Sequence, residues 1–257
     1  MAETVTAARE ARAAMRSGEW TGLTTYKVPG FVQCNLVVVP RVDAYDFLVY
    51  CQRNRAACPV VDITDAGSPE PRWAAPGADL RTDLPRYRVY KNGEQVAEPT
   101  DASPWWPADG VAFLIGSSLT FDAALERAGV SLPPEVWVLR TTVPTRPSGR
   151  FAGSLVVTLR YFTPADAITA VQLTARYPWN HGAPLHVGDP ETIGADIARP
   201  IVGAPLTRMP EGKIGVFWAC GVTPQQVALE ARLPLVITHC PGHAFITDIR
   251  ADEFCQP

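Results

Sequence analysis

The same order of short motifs runs twice along this chain, and that repetition limits its fold more than any other feature. Gly30-Phe31 leads into Leu36-Val37-Val38-Val39-Pro40-Arg41 and then Asp43-Ala44. Gly149-Arg150-Phe151 leads into Leu155-Val156-Val157-Thr158-Leu159-Arg160 and then Ala165-Asp166-Ala167. A Pro-bounded apolar segment follows each, from Cys58 and from Ala183, and then Gly77-Ala78-Asp79-Leu80 and Gly194-Ala195-Asp196-Ile197. The closing units agree too, with Phe113 against Phe217 and Ala124-Leu125-Glu126 against Ala228-Leu229-Glu230. Short apolar runs bounded by Gly read as buried strands, and the segments after them as helices. The expectation is an α/β (mixed α+β) chain of two related β-α-β-type halves from an internal duplication. Residues 1–145 form the first half, with a helical N-terminal extension, and residues 146–257 the second. The halves make one compact globular unit, with a site at their interface.

Each closing unit turns from strand to helix through small residues, GSS at 116–118 and CGVT at 220–223. Thr120 and Thr223 are suited to cap the helices, with Pro224 at the first helical position and Gln226 completing a capping box. Two helix starts facing each other across a pseudo-twofold axis would aim backbone N–H groups and the positive dipole ends at one spot. A cleft between halves is a common place for a small ligand.

Composition closes several other routes. A net charge of −3 with no concentrated run of Lys and Arg disfavours a nucleic-acid or anionic-membrane partner. The N-terminal stretch ETVTAAREARAAMRSGEW is a charged amphipathic helix rather than a signal peptide, and no apolar run is long enough for a membrane span. Six cysteines without CxxC pairs fit reduced thiols and a cytoplasmic location. A homo-oligomer stays open. No GxGxxG or Walker loop is present, so no nucleotide cofactor is expected.

Among polar residues the densest motif is GADLRTDLPRYRVY, 77–90. As a strand it would set Asp79, Arg81 and Asp83 on one face, with Arg81 holding a substrate carboxylate and Asp79 moving a proton. The bland alternative is an ion-paired surface loop. His239 and His243 lie in THCPGHAFITD, where Pro241-Gly242 breaks any helix that would converge the two rings on zinc. General acid–base work fits them better than a divalent metal, which stays a weak alternative. His181 is a candidate substrate contact, whereas His186 suits a loop-carbonyl partner. Gln33 and Asn35 enter an apolar strand and need partners or a ligand. Ser117, Ser118, Cys220, Gly221 and Thr223 are candidate anion-binding turns. The Cys220 thiol would be acidified if it faces a helix start, or would be a small packing residue.

Seven segments together resemble the D-glutamate cyclase-like family, whose bacterial members are labelled hydro-lyases. They are PGFVQCNLVVVP (29–40), DFLVYCQRNRAACPVVDIT (46–64), ADLRTDLPRYRVY (78–90), FLIGSSLTFDAALERAG (113–129), HGAPLHVGDP (181–190), VFWACGVTPQ (216–225) and THCPGHAFITD (238–248). Residues 133–150 depart from the family pattern by being shorter and lacking Met and Cys, which puts substrate choice in doubt rather than chemistry. The resemblance implies loss of water as D-glutamate closes to 5-oxo-D-proline. Arg81 would hold a carboxylate, Asp79 or His239 would act as base, and His243 would deliver a proton. Backbone donors at Ser117-Ser118 or Gly221 would stabilise the oxyanion. Two other readings stay open: a non-catalytic protein binding a small acidic metabolite, and a metal-dependent hydrolase centred on the histidines.

Overall fold

A computed structural model describes residues 2–25, 27–133 and 135–256. In chain order the elements are α1 (Ala2–Arg16), β1 (Phe31–Val39), α2 (Arg41–Arg53), β2 (Val60–Ile63), β3 (Tyr87–Lys91), β4 (Glu94–Ala97), β5 (Val111–Gly116) and α3 (Leu119–Arg127). They continue as β6 (Trp137–Pro144), β7 (Ser154–Phe162), α4 (Pro164–Thr174), β8 (His186–Val187), β9 (Ile214–Ala219), α5 (Val222–Glu230), β10 (Val236–His239) and β11 (Phe245–Arg250). Among the described residues no helix is long and apolar enough to cross a membrane.

The strands form two antiparallel sheets. The first runs β2-β5-β1-β10-β3-β4 with β11 also on β1, and the second runs β6-β7-β9-β8. β1 and β7 are buried centres that read as near-continuous apolar runs. Each sheet takes strands from both sides of residue 145, since β6 pairs with β7 while β10 and β11 pair with β1.

The two central ladders match in register. Cys34↔Gly116 through Val39↔Val111 in one corresponds to Val157↔Ala219 through Phe162↔Ile214 in the other. In both, a helix begins just beyond the ladder, at Leu119 and at Val222. Superposing the ladders sets Gln33 against Val156, Asn35 against Thr158, Ser117 against Cys220 and Thr120 against Thr223. The motif alignment had set Leu36 against Leu155 and Phe113 against Phe217. The ladders instead match Leu36 with Leu159 and Phe113 with Val216, because hydrogen-bond register rather than residue identity sets the correspondence.

Each closing helix packs on the other sheet. Phe121 and Leu125 of α3 share a core with Phe162, Val216 and Trp218. Val227 and Ala228 of α5 share one with Val37, Phe47, Phe113 and Phe151, where Phe47 meets Phe113 and Phe151 edge-on at 4.9 and 5.1 Å. A buried ion pair fastens α3 to β7, with Arg160 donating to Asp122 at 2.7 and 3.2 Å. Outside the first sheet, α1 lies on β11 through Arg9 and Arg12 to Asp248, and Arg16 grips the fully buried Asp83 with two bonds of 2.7 Å.

Two local expectations change. Residues 77–83 are turns rather than a strand, and strand structure begins at Tyr87. Asp83 turns inward to accept from Asp79 N–H and Arg16, which prevents a shared face with Asp79 and Arg81. Thr120 and Thr223 lie inside their helices instead of capping them. Their hydroxyls accept the backbone N–H of Gln33 at 3.1 Å and of Val156 at 3.0 Å, bonds that tie each helix to a strand. Gln226 accepts from Arg140 in place of a capping box.

Candidate functional site

The face of β1 that carries Gln33 and Asn35 also carries Val37 and Val39, which pack against α2 and α5. The opposite face carries Val32, Cys34, Leu36 and Val38 and is covered by Ala74, Ala78, Leu80 and Leu84. This split sorts the polar candidates. Asp79 and Arg81 belong to the covering loop on the far side and are bound to each other at 2.7, 2.9 and 3.2 Å, the surface ion pair of the bland alternative. The Arg81 guanidinium holds the Asp79 carboxyl below its ordinary value against an opposing effect of burial. Asn35 and the two helix starts lie on the other face of β1.

There the starts of α3 and α5 flank Asn35. Ser117 N–H donates to the Gln33 carbonyl at 3.0 Å, and Cys220 N–H to the Val156 carbonyl at 3.1 Å. The Ser117 hydroxyl accepts from Leu119 N–H at 3.4 Å, and the Cys220 sulfur from Val222 N–H at 3.5 Å. The next amides, Ser118 and Gly221, have no hydrogen-bond partner among the described residues. The Asn35 amide donates to the Gly116 carbonyl at 3.5 Å and presses against Gly221, where a Cβ would overlap it. Gly116 is equally constrained, because a Cβ there would strike the Trp179 carbonyl. Burial pushes the Cys220 thiol up, so the helix start does not make it a thiolate.

The fourth side of this seam is a fork in the first sheet. β10 and β11 share the edge of β1 away from β5, β10 against Val37 and Val38 and β11 against Phe31, Gln33 and Cys34. Leu36 N–H falls in the gap and donates to His239 Nδ1 at 3.2 Å, while Gln225 Nε2 on α5 reaches the same nitrogen at 2.9 Å. A backbone N–H can only donate, so Nδ1 is the acceptor and the proton of the neutral ring sits on Nε2. His239 is 5% exposed, and burial pushes its imidazole down to about 4. Across the 240–243 turn, His243 Nδ1 lies 2.8 Å from the Pro241 carbonyl. A carbonyl only accepts, so Nδ1 carries a proton there and Nε2 is the nitrogen left for another partner.

Of the other histidines, His186 Nε2 meets the Asp189 carbonyl at 2.8 Å, the loop partner expected for it. His181 is held at φ +80° with Nδ1 2.9 Å from the Ala56 carbonyl and lines a cavity of about 450 Å³. Its neighbour Asn180 donates to the Ser117 carbonyl and the Thr120 hydroxyl at 3.3 and 3.0 Å. Among the described residues no three His, Cys, Asp or Glu side chains gather as a metal site would require. Sequence reasoning missed Gln225 and Asn180. Gln225 stands one helical turn after Gly221, and that spacing was available as a signal.

Residues 111–248, which include both helix starts and the histidines at 239 and 243, match the family described as D-glutamate cyclase. The chain belongs to the D-glutamate cyclase family. Curated relatives agree over nearly the full length. A "Putative hydro-lyase" of Stutzerimonas stutzeri (strain A1501) is 51% identical over 248 residues, covering 94% of this chain and 93% of its own. One of Rubrobacter xylanophilus is 52% identical over 253 residues, covering 96% and 97%. One of Bacillus subtilis is 44% identical over 253 residues, covering 96% and 98%. A nitrogen repressor-like protein of Methanococcus jannaschii overlaps 88% of the chain at 12% identity and a TM-score of 0.40, too little to bear on function. The segment expected to depart from the family pattern, 133–150, carries β6 and a turn whose backbone Asn54 and Arg53 hold, and Pro134 lies outside the described residues.

Proposed function

We propose that this chain is a hydro-lyase for a small acidic amino acid, closing D-glutamate to 5-oxo-D-proline between the two helix starts and the histidine fork. The observation that carries the reading is the fixed His239 tautomer, an Nε2–H donor in the same seam as the unpartnered Ser118 and Gly221 amides. Ring closure joins the substrate's amine nitrogen to its side-chain carboxyl carbon and expels one carboxyl oxygen as water. Two of the three ammonium protons must reach that oxygen, so one group has to take and return them. The His243 lone pair suits this shuttle. A neutral Nε2–H is far too weak an acid to surrender its proton, so His239 hydrogen-bonds the developing oxyanion and the helix-start amides share its charge. Matched ladders and paired threonine ties support descent of the two lobes from one duplicated unit, with the site where they meet.

Purified protein incubated with D-glutamate, with 5-oxo-D-proline followed by chiral chromatography, tests the reading. His243→Gln should cut kcat by about 10²–10⁴-fold, the usual weight of acid–base catalysis, while leaving binding in place. Binding of D-glutamate without conversion by the unaltered protein would instead favour an acid-binding protein.

A further inference from the structure

The cavity beside His181 lies between two loops that correspond in the two lobes. The chain from α2 to β2 supplies Gln52, Arg55 and Cys58, and the chain from α4 to β8 supplies Trp179 and His181. Carried on from the ladders, the superposition sets Cys58 against His181, so the cavity straddles the axis relating the sheets. Its electrostatics are one-sided. Among the described residues no Asp or Glu side chain lines it. Arg55 stands at the mouth, donates through Nε to Gln52 at 3.2 Å, and makes no ion pair among the described residues. Burial raises the Cys58 thiol well above its ordinary value, which leaves it neutral. An unneutralised guanidinium over a neutral wall favours an anion, and its forked donors fit a carboxylate.

The second half of the site is His181, 4% exposed. Its Nδ1–H is committed to the Ala56 carbonyl, so Nε2 holds a lone pair that no described residue satisfies. That nitrogen opens on the cavity His181 lines, where a ligand's donor can reach it. The backbone is costly there, since φ +80° is a left-handed conformation that a histidine seldom takes. A ligand carrying a hydrogen-bond donor next to its carboxylate would meet both groups at once.

We propose that this axial cavity is a second binding site, separate from the helix-start seam, for a small α-amino or α-hydroxy acid. The ligand carboxylate pairs with Arg55, and its ammonium or hydroxyl donates to His181 Nε2. Asn180, adjoining His181 and bonded to Ser117 and Thr120, links occupancy of the cavity to the α3 start. The site does not depend on the proposed turnover, because binding here registers even if nothing is converted.

Side-chain ¹⁵N resonances of the four histidines, followed during millimolar titrations of D-glutamate, L-glutamate and glycolate, test it with the intact chain. A movement of the His181 Nε2 resonance with at least one probe, weakened tenfold or more by Arg55→Ala, is the expected result. His181→Asn, which tolerates the left-handed backbone, should remove the same fraction of affinity in calorimetry while the His239 signals stay in place. The proposal is overturned if no probe moves the His181 signal, if only the His239 or His243 signals move, or if Arg55→Ala leaves the titration unchanged. Loss of D-glutamate turnover with the His181 response intact would count against the seam alone.

Discussion

Acidification should weaken this protein through two buried imidazoles before any carboxylate takes part. His181 and His239 are both pushed by burial down to about 4. An unfolded histidine titrates near 6.5. As pH falls through the interval between those values the unfolded chain takes up protons that the folded chain refuses. Stability is therefore full above about 6.5, declines toward about 4, and levels off below. Between about pH 7.5 and about pH 5 each ring accounts for about 2 kcal/mol, and the pair for about 4 kcal/mol, a large share of a typical 5–15 kcal/mol. The groups are almost wholly buried, so solvent screening does not reduce these values. The carboxyls of Asp79 and Glu98, held low in the fold, lose their contribution only below this window. Urea unfolding across the pH series measures the slope. His181→Asn or His239→Asn should each halve it, and the double variant should flatten it. A wild-type loss under about 1 kcal/mol, or an unchanged slope in the double variant, would refute the reasoning.

Further measurements probe the inter-sheet ties. Asp122→Asn strands the buried Arg160 guanidinium and should cost about 3–5 kcal/mol in urea unfolding, whereas Asp122→Leu with Arg160→Met should recover most of it. Gly221→Ala forces the Asn35 amide aside. It should lower D-glutamate turnover by about 10²-fold, the usual loss for a displaced oxyanion donor, and Asn35→Ala added to it should restore thermal stability but not turnover. Arg81→Ala removes a partly exposed pair on the far face of the first sheet. It should leave kcat and KM unchanged and shift stability by less than about 1 kcal/mol.

What could be read from the residues alone follows physical lines. The helix starts, the polar amides of β1 and the fork histidines were legible because strand-turn-helix geometry is local, so GSS and CGVT announce themselves. Gln33 and Asn35 were conspicuous as amides in an apolar strand, but only Asn35 meets the helix starts, while the Gln33 amide donates to the Thr24 carbonyl at 3.4 Å. The 77–83 segment misled because alternation of Asp79, Arg81 and Asp83 mimics a strand. Only the tertiary grip of Arg16 on Asp83 turns one carboxylate inward. The threonine hydroxyls were misassigned because a strand N–H outcompeted the cap, a partner more than sixty residues away in sequence. No periodicity could have assigned the histidine tautomers. They are fixed by single backbone groups, Leu36 N–H and the Pro241 carbonyl, that meet the rings only after folding. Arg55 escaped notice because its meaning lies in the absence of a neighbouring acid around a cavity wall.

The crossed packing, in which α3 rests on the second sheet and α5 on the first, rules out a hinge. Prying the lobes apart would strip the Arg160–Asp122 pair and two aromatic cores together, a barrier on the scale of global unfolding. In such a clasped molecule either half expressed alone would be left without the sheet its own helix needs.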